Sequence, residues 1–521
     1  MSAWQNLCYH ARMPRITLAT LNARYIHASL GLRYLKANMG ELDACTSIKE
    51  FIITDRPLDI AEALLADAPD IIGLGVYIWN VSEITALVRL LKTISPETTI
   101  VLGGPEVSYE TEDQELVKHA DYVIAGQADR AFAELCEQVL SSALPRQKIL
   151  QAAQVPLEQI HLPYDQFTED DIANRMIYVE ASRGCPYKCE FCLSSLDKTA
   201  WPFDLDNFLA AMQRLYERGV RHCKFVDRTF NLKIDSSIRI LEFFLDKQNQ
   251  DLFLHFELIP DHLPEKLKTV IQQFPPGTLQ FEIGIQSFNP EVQKLISRRQ
   301  DNQKASDNIH WLATQTSAHL HTDLIVGLPG EDMQSFAQGF NQLLALDPGE
   351  IQVGILKRLR GTPIIRHTAA YDMRYNPLPP YNILSTDRIH FKDMQRLSRF
   401  ARYWDLVANS GRFKMTLPML LADQPFERFM HFSDWLFAGT GKTHQFALKR
   451  LFDFLHEYLT DVMGLRAAEV SSVLLADFAR TGQKGLAEFM KPAAGEQQGK
   501  QPGKQPDKKT RGDKRQIRHA S

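Results

Sequence analysis

Two series of short apolar segments, each alternating with amphipathic segments, constrain the fold of this 521-residue chain more than any other feature. Buried parallel strands appear as nearly continuous apolar runs, and the helices that connect them appear as amphipathic ones. The first series predicts strands at five segments: 15–21, 48–53, 71–77, 99–102 and 122–125. We therefore predict an α/β chain whose N-terminal part is a doubly wound parallel sheet.

The second series begins near residue 175 and predicts a different α/β architecture. Its predicted strands are 176–180, 223–226, 253–258, 279–285, 320–326 and 351–356. Six strand–helix units in about 180 residues fit a partial (β/α)6 barrel better than the eight units of a complete one. After residue 363 the alternation stops, and the pattern becomes mostly helical.

These changes in pattern predict the domain organisation. Beyond residue 490 the chain is rich in Gly, Gln, Pro, Lys and Arg, which is typical of disorder. Such a basic tail is the one segment compatible with nucleic acid, and a solvated terminus is its simpler interpretation. In order, we predict a lead segment (1–12), a sheet domain (13–145), a linker (146–174), a barrel (175–363), a helical C-terminal domain (364–490) and a disordered basic tail (491–521).

Composition excludes several classes of protein. Lysine and arginine (59) nearly balance aspartate and glutamate (63), so the net charge of -4 indicates no general affinity for nucleic acid. No apolar run approaches the roughly 18 residues of a membrane-spanning helix. Seven cysteines in so long a chain are not a disulfide framework, and three of them fall within eight residues. We expect a cytoplasmic enzyme with no membrane partner.

The three clustered cysteines are Cys185, Cys189 and Cys192, on a segment that follows a predicted strand. Thiolates at this spacing can hold a soft metal centre. A structural zinc site is one interpretation, but it needs four closed ligands. Three thiolates instead suit a [4Fe–4S] cluster whose fourth iron stays open for a substrate amine and carboxylate.

The motif Cys185-x3-Cys189-x-Phe191-Cys192 resembles the signature of the radical S-adenosylmethionine (SAM) superfamily. The resemblance implies that the cysteines hold the cluster and that SAM chelates the fourth iron. It also implies reductive cleavage of SAM to methionine and a 5′-deoxyadenosyl radical, with Phe191 packed on the adenine. The electron would come from a donor such as flavodoxin or ferredoxin.

Three later segments resemble other SAM-facing strands of the superfamily. They are Phe225–Asn231, Glu282–Ser287 with the following Arg298, and Asp323–Glu331. Each is weak alone, but their order along the barrel supports the resemblance. The SAM contacts that it implies, besides Phe191, are Asp227, Glu282, Gln286, Ser287, Arg298, Asp323 and Ile325.

In the N-terminal domain, ligands are expected outside the carboxyl ends of the strands. No Gly-x-Gly-x-x-Gly follows the first strand, so a dinucleotide is disfavoured. A sheet domain ahead of a radical SAM barrel resembles the flavodoxin-like, cobalamin-binding domain of the cobalamin-dependent class, in a subgroup with its own C-terminal helical domain. The cobalamin contacts implied are Asn22, His27, Ser29, Tyr77, Gly103, Gly104, Ser108 and Gly126.

Two departures from the cobalamin pattern leave an alternative open. The Asp-x-His-x-x-Gly signature of the classical mutases is missing around His27, which disfavours this histidine as a lower cobalt ligand. Gly126-Gln127-Ala128-Asp129 replaces the more acidic Gly-Glu-Gly-Glu of the class. A sheet domain that has lost its cofactor and serves as a scaffold is the alternative.

The resemblance implies a cobalamin-dependent radical SAM enzyme, most simply a methyltransferase at an unactivated carbon. One alternative is a cobalamin-assisted rearrangement, cyclisation or reduction without methyl transfer. A second, of a different class, is a regulator that senses SAM or cobalamin and carries a structural cluster. The sequence does not define the substrate.

Overall fold

The structure is a computed structural model that describes residues 13–197, 199–247, 251–485 and 487–490. The predicted lead segment (1–12) and basic tail (491–521) lie outside the described residues. The chain divides into two compact units. Of the described residues, unit 1 contains those up to Thr229 with Lys357–Arg366 and Tyr375–Asn382, and unit 2 contains those of Phe230–Leu356, those of His367–Arg374 and those from Ile383 onward.

Unit 1 is built on a six-stranded parallel sheet with the order β2-β1-β3-β4-β5-β6. This is the flavodoxin-like order, in which the direction of winding reverses between β1 and β3. Ile16 of β1 accordingly lies opposite Thr46 on one side and Ile71 on the other. The strands are β1 (Ile16–Asn22), β2 (Thr46–Ile52), β3 (Ile71–Gly75), β4 (Thr99–Gly103), β5 (Tyr122–Ala125) and β6 (Ile149–Gln151).

Helices cover both faces of this sheet because its strands are apolar on both sides. Leu21 and Leu102 belong to one fully buried cluster with Leu87, whereas Leu18 belongs to another with Phe132. The predicted doubly wound sheet is therefore confirmed. Its helices are α1 (Leu30–Ala37), α2 (Pro57–Leu65), α3 (Val81–Ile94), α4 (Glu115–His119) and α5 (Ala131–Leu140).

The predicted linker 146–174 contains structure that its sequence did not indicate. It begins with β6, which pairs with β5, and continues through 3-10 turns at Leu157–Gln159 and Tyr164–Gln166 to α6 (Glu169–Asn174). None of the three residues of β6 is buried, so this edge strand has no apolar pattern from which it could be predicted.

The rest of unit 1 begins the second α/β series. Its strands are β7 (Ile177–Val179), β8 (Ser182–Arg183), β9 (Trp201–Pro202) and, after α7 (Leu205–Glu217), β10 (His222–Phe225). The parallel pair β7 and β10 was predicted, whereas the antiparallel ladder of β8 and β9 was not.

Unit 2 continues the series with four parallel strands that pair in chain order. Side chains of β12 and β13 alternate in burial, so that Phe281 and Ile283 are buried whereas Glu282 between them is half-buried. The elements are α8 (Ile234–Leu245), β11 (Phe253–Leu258), α9 (Glu265–Ile271), β12 (Leu279–Gln286), α10 (Pro290–Leu295), α11 (Asn302–Gln315), β13 (His319–Val326), α12 (Met333–Leu344) and β14 (Glu350–Ile355).

The C-terminal part of unit 2 is mostly helical, as predicted, and has an aromatic core. Phe340, Phe400 and Trp404 pack at ring-centroid distances of 4.8–6.0 Å. No described helix is long and apolar enough to cross a membrane. After β15 (Arg374–Tyr375) and β16 (Ile383–Ser385), the helices are α13 (Phe391–Val407), α14 (Leu417–Leu421), α15 (Pro425–Thr440), α16 (Leu448–Glu457) and α17 (Ala467–Arg480).

Candidate cofactor sites

The three clustered cysteines lie on one loop, which we call the cysteine loop and define as residues 184–200. The ladder of β8 and β9 closes its base. At that base Gly184 has a φ of +86°, and a β-carbon there would lie 2.1 Å from the Thr199 carbonyl oxygen. The loop can therefore close only with glycine at this position.

Hydrogen bonds inside the loop hold the cysteines near one another. The Cys192 backbone N–H donates to the Cys189 carbonyl at 3.1 Å. The buried Ser195 hydroxyl lies 3.0 Å from the Cys189 carbonyl and 2.7 Å from the Cys192 carbonyl. Two cysteine ligands thus share one turn whose backbone is fixed by a serine.

The Cys185 thiol lies in a buried environment that disfavours its charged form. Burial, with smaller contributions from the nearby Cys192 and Cys189 thiols, raises its pKa to about 11. The positive charge of Arg228 acts in the opposite direction. A bound cation would favour the thiolates, because metal ligation displaces their protons.

The donor set fits a [4Fe–4S] cluster, in which each thiolate binds a different iron. Cys185 and Cys189 are buried away from bulk water, whereas Cys192 is half-buried. Among the described residues, no three His, Cys, Asp or Glu side chains are grouped as ligands of a single metal ion.

A buried carboxylate between two cysteines anchors the loop to a distant segment. Glu190 accepts a hydrogen bond from Arg366, and its carbonyl accepts one from the Ile364 backbone at 3.0 Å. Only 2% of Glu190 is exposed, so this charge depends on its arginine partner. Sequence reasoning missed Glu190, since its partner lies about 175 residues away.

A cavity of about 420 Å³ lies within unit 1, at the carboxyl ends of β3, β4 and β5. Ligands bind at this edge in doubly wound sheets. The wall also includes Glu180, Arg183 and Gly184, which lead into the cysteine loop, and Arg228. The cavity therefore adjoins both the sheet and the segment that carries the cluster ligands.

Glycine shapes the floor of this cavity. Gly104 has a φ of +109°, and a β-carbon there would lie 2.4 Å from the Val76 carbonyl oxygen. At Gly73 a β-carbon would come within 2.8 Å of the Phe132 ring. The first contact brings the end of β4 close to Val76, which follows β3, and the second lets β3 pack against Phe132 of α5.

Ion pairs fix the loop that follows β4. The buried Glu106 carboxylate accepts hydrogen bonds from the Arg360 guanidinium at 2.8 Å and from the Tyr381 hydroxyl at 2.7 Å. Arg358 contacts Glu110 at 2.7 Å. Both arginines are therefore partnered within unit 1.

Four of the eight predicted cobalamin contacts line the cavity: Tyr77, Gly103, Gly104 and Gly126. Tyr77 also stacks on Trp79, with ring centroids 4.4 Å apart and ring planes 5° apart. Ser108 lies at the edge of the same region, where its hydroxyl donates to the Gly104 carbonyl and accepts from the Gly126 backbone.

The other three predicted cobalamin contacts are not part of the cavity wall. The Asn22 amide donates to the His27 carbonyl at 2.8 Å. Ser29 caps α1 by accepting from the Leu32 backbone. His27 Nδ1 lies 2.7 Å from the Tyr178 hydroxyl, and burial lowers the pKa of this histidine. These side chains organise the segment between β1 and α1.

Asp227, a predicted SAM contact, lies at the end of β10 and is 3% exposed. Its carboxylate accepts from the Ala181 backbone at 2.9 Å and from the Ser182 hydroxyl at 2.6 Å. Burial raises its pKa to about 7, with a smaller contribution from Glu180. Asp227 thereby fixes the strand that leads into the cysteine loop, and Phe191 is half-buried within that loop.

Replacing Asp227 with asparagine is expected to flatten the pH dependence of stability. The folded pKa of about 7 exceeds the ordinary value of 3.8, so the aspartate's contribution is present at low pH and is lost as the pH rises to 7. That loss amounts to about 4 kcal/mol. Between about pH 5 and pH 8, the Tm of Asp227→Asn should rise relative to wild type by roughly 5–10 °C.

The exposed Asp235→Asn is the control for this measurement. Its Tm should follow that of wild type at every pH, because the Asp235 side chain is 90% exposed. A Tm difference between Asp227→Asn and wild type that does not change with pH would contradict the raised pKa of the Asp227 carboxyl.

The predicted SAM contacts of unit 2 lie either after the end of β12 or on the paired strands β12 and β13. At the end of β12, Gln286 has a φ of +70°, Ser287 follows it, and the Arg298 guanidinium donates to the Gly284 carbonyl. Within the sheet, Gly284 lies opposite Asp323 of β13. The remaining contacts lie on the same strands: Glu282, whose carboxylate is 3.1 Å from His255, and Ile325.

Glu331 is a buried carboxyl that sequence reasoning did not select. It is 2% exposed and accepts from the Ser287 hydroxyl at 2.6 Å. Burial raises its pKa to about 7. The sequence signal that could have identified Glu331 is its position in the segment Asp323–Glu331, which resembles a SAM-facing strand of the superfamily.

Comparison with known families identifies the two α/β parts. Residues 179–343 match the radical SAM superfamily, and residues 16–136 match the B12 binding domain. The chain carries both a radical SAM domain and a B12-binding domain. SAM, a [4Fe–4S] cluster and cobalamin are therefore its cofactors, and the chain is an enzyme. Residues 369–517 match a protein family of unknown function, DUF4080.

Individual relatives agree with these domains. An uncharacterised methyltransferase, PH0819, from Pyrococcus horikoshii is 24% identical over 373 residues, which are 66% of this chain and 79% of the relative. The solved structure of the methyltransferase TsrM from Kitasatospora setae, with cobalamin and a [4Fe–4S] cluster bound, is 14% identical, with a TM-score of 0.55. That match covers 74% of this chain and 85% of TsrM.

A third relative extends the shared fold over most of the chain. The cobalamin-dependent SAM radical enzyme OxsB, solved with aqua-cobalamin, is 14% identical with a TM-score of 0.59. The match covers 90% of this chain and 81% of OxsB. The fold predicted for the B12-binding and radical SAM domains is thereby confirmed.

Proposed function

We propose that this radical SAM enzyme is a cobalamin-dependent methyltransferase that acts at an unactivated carbon. The observation that carries the proposal is the cavity of unit 1, whose wall contains both the strand ends of the B12-binding domain and the residues that lead into the cysteine loop. Methyl transfer by two cofactors requires their sites to adjoin. The relatives PH0819 and TsrM are both named as methyltransferases, which supports the same class of reaction here.

The residues of this chain would bind and position the cofactors. When bound, the cluster with SAM would supply a 5′-deoxyadenosyl radical, and cobalamin would supply a methyl-carrying cobalt. Cys185, Cys189 and Cys192 would hold the cluster on a loop that Ser195 and Glu190 keep in place. Burial of Cys185 and Cys189 would limit the access of water to the reducing centre.

The remaining predicted SAM contacts would orient the donor. The buried Asp227 can accept a proton at its carboxyl oxygens near neutral pH, and it fixes the backbone at Ala181. The same proposal includes an electron donor such as flavodoxin or ferredoxin, which would reduce the iron–sulfur cluster. It also includes a cytoplasmic location, because unpaired cysteines and a reducible cluster need a reducing compartment.

A substrate-free assay tests this proposal. We expect the anaerobically reconstituted protein with dithionite and SAM to release 5′-deoxyadenosine. In the same assay, dithionite also reduces added hydroxocobalamin to its cobalt(I) form, which can take a methyl cation from SAM and release S-adenosylhomocysteine. With SAM that carries a trideuterated methyl group, we expect mass spectrometry to find the label in the cobalamin fraction. Cys192→Ala should abolish nucleoside release, whereas Cys223→Ala should not.

The outcomes separate the candidate functions. Nucleoside release without label in cobalamin would contradict methyl transfer and favour a rearrangement, cyclisation or reduction. No nucleoside release from a protein with a full complement of iron would instead favour a regulator that senses SAM or cobalamin.

A further inference from the structure

Arg183, directly before the cysteine loop, lies at a buried junction of three chain segments. Its guanidinium donates to both carboxylate oxygens of Asp129 at 2.8 and 2.9 Å, and its Nε donates to Glu180 at 2.7 Å. The guanidinium carbon lies 4.3 Å from the centroid of the Tyr34 ring, which belongs to α1. The Arg183 side chain is 12% exposed and the Asp129 side chain 9%.

These residues connect the two cofactor sites through direct contacts. Tyr34, Asp129, Glu180 and Arg183 all line the cavity at the sheet ends. Arg183 is also two residues before Cys185. Arg183 therefore contacts residues of the B12-binding domain in the cavity wall, and its own backbone leads directly to the cluster ligand Cys185.

A buried, bidentate ion pair such as that of Arg183 and Asp129 is rigid, and its disruption lowers the free energy of unfolding. Breaking one partner of such a pair leaves an uncompensated charge. Arginine is specific for the role, because its planar group can pair with a carboxylate and stack on an aromatic ring at once. A shift of Asp129 or Tyr34 on filling of the cavity must therefore be accommodated at Arg183.

We propose that Arg183, through Asp129, is a positioning residue that couples cobalamin binding to the order of the cysteine loop, an inference that rests on the proposed function. Each cofactor favours the arrangement in which Arg183 spans Asp129, Glu180 and Tyr34. Binding of either one then strengthens binding of the other by the same factor, because coupling is reciprocal.

The coupling is measured as a ratio of affinities. Hydroxocobalamin is titrated by its visible spectrum into full-length protein, once after removal of iron and once after reconstitution of the cluster. In wild type, the dissociation constant should be about tenfold lower with the cluster present. In Asp129→Asn and Arg183→Lys this ratio should fall below about twofold.

Arg33→Lys is the matched control. Arg33 is 3% exposed, contacts Asp171 at 2.7 Å and Glu50 at 2.9 Å, and lies over the Phe167 ring at 4.6 Å. It thus has two carboxylates and an aromatic ring, like Arg183, but it is not part of the cavity wall. Its loss should lower the Tm while the tenfold affinity ratio remains.

A second readout uses the cluster itself. Cobalamin should slow the loss of iron to a chelator in wild type and in Arg33→Lys, but not in Asp129→Asn. The asparagine is isosteric and keeps one acceptor, so this variant tests the coupling even where Arg183→Lys does not fold.

The results distinguish the coupling from the function on which it rests. A wild-type ratio near one, or a tenfold ratio retained in both Asp129→Asn and Arg183→Lys, overturns the coupling alone. If hydroxocobalamin binds to neither form of the wild-type protein, the proposed function fails and the coupling fails with it.

Discussion

Replacing Cys185, Cys189 or Cys192 with alanine is expected to abolish both iron retention and SAM cleavage. Each thiolate would hold one iron, and the fourth iron must stay open for SAM. Removing a thiolate gives the cluster a second open corner. We expect 5′-deoxyadenosine release to fall at least about a thousandfold, which corresponds to about 4 kcal/mol of activation free energy. Iron content and nucleoside release after anaerobic reconstitution are the measurements.

Cys223→Ala provides the matched control. Cys223 is a buried, free thiol on β10, and burial raises its pKa to about 12. It lies outside the cysteine loop, so its loss should leave the iron content at the wild-type level. Retention of iron and nucleoside release in all three loop variants would contradict the assignment of the cluster ligands.

Among the cavity glycines on the strands of the first sheet and directly after them, Gly104→Ala should have the largest effect on stability. A β-carbon would lie 2.4 Å from the Val76 carbonyl oxygen, and the φ of +109° is unfavourable for alanine. Strain and overpacking together are worth about 3–5 kcal/mol. This should lower the Tm by roughly 10 °C.

The neighbouring Gly103→Ala is the comparison for Gly104→Ala. The nearest atom to its β-carbon is the Ile124 carbonyl oxygen at 4.0 Å. We expect its Tm to stay within about 3 °C of wild type. Equal Tm values for the two variants would contradict the described contact between the end of β4 and Val76.

Strands buried on both faces could be predicted because apolarity continues through them. The segments 71–77, 99–102 and 122–125 all contain strands of the first sheet. The strands β6, β8 and β9 could not be predicted, because they have three residues or fewer and no buried side chain, unlike the equally short β7, in which Ile177 and Val179 are buried. Their positions depend on partners rather than on local periodicity.

The same distinction between local patterns and long-range contacts applies to the residues of the site. The cluster ligands are contiguous, so a local motif was enough to find them. The anchors of their loop come from distant positions: Asp129 reaches Arg183 across 54 residues and Arg366 reaches Glu190 across 176. A sequence alone does not show which of its many charges meet when buried.

The stacking of Tyr77 on Trp79 predicts a change in tryptophan fluorescence when the cavity is filled. Tyr77 lines the cavity, and Trp79 lies against it at 4.4 Å while 45% exposed to solvent. Corrins absorb light at the wavelengths where indoles emit. Occupancy of the cavity should therefore quench the fluorescence of Trp79, and Trp79→Phe distinguishes its share of the quenching from that of the other five tryptophans.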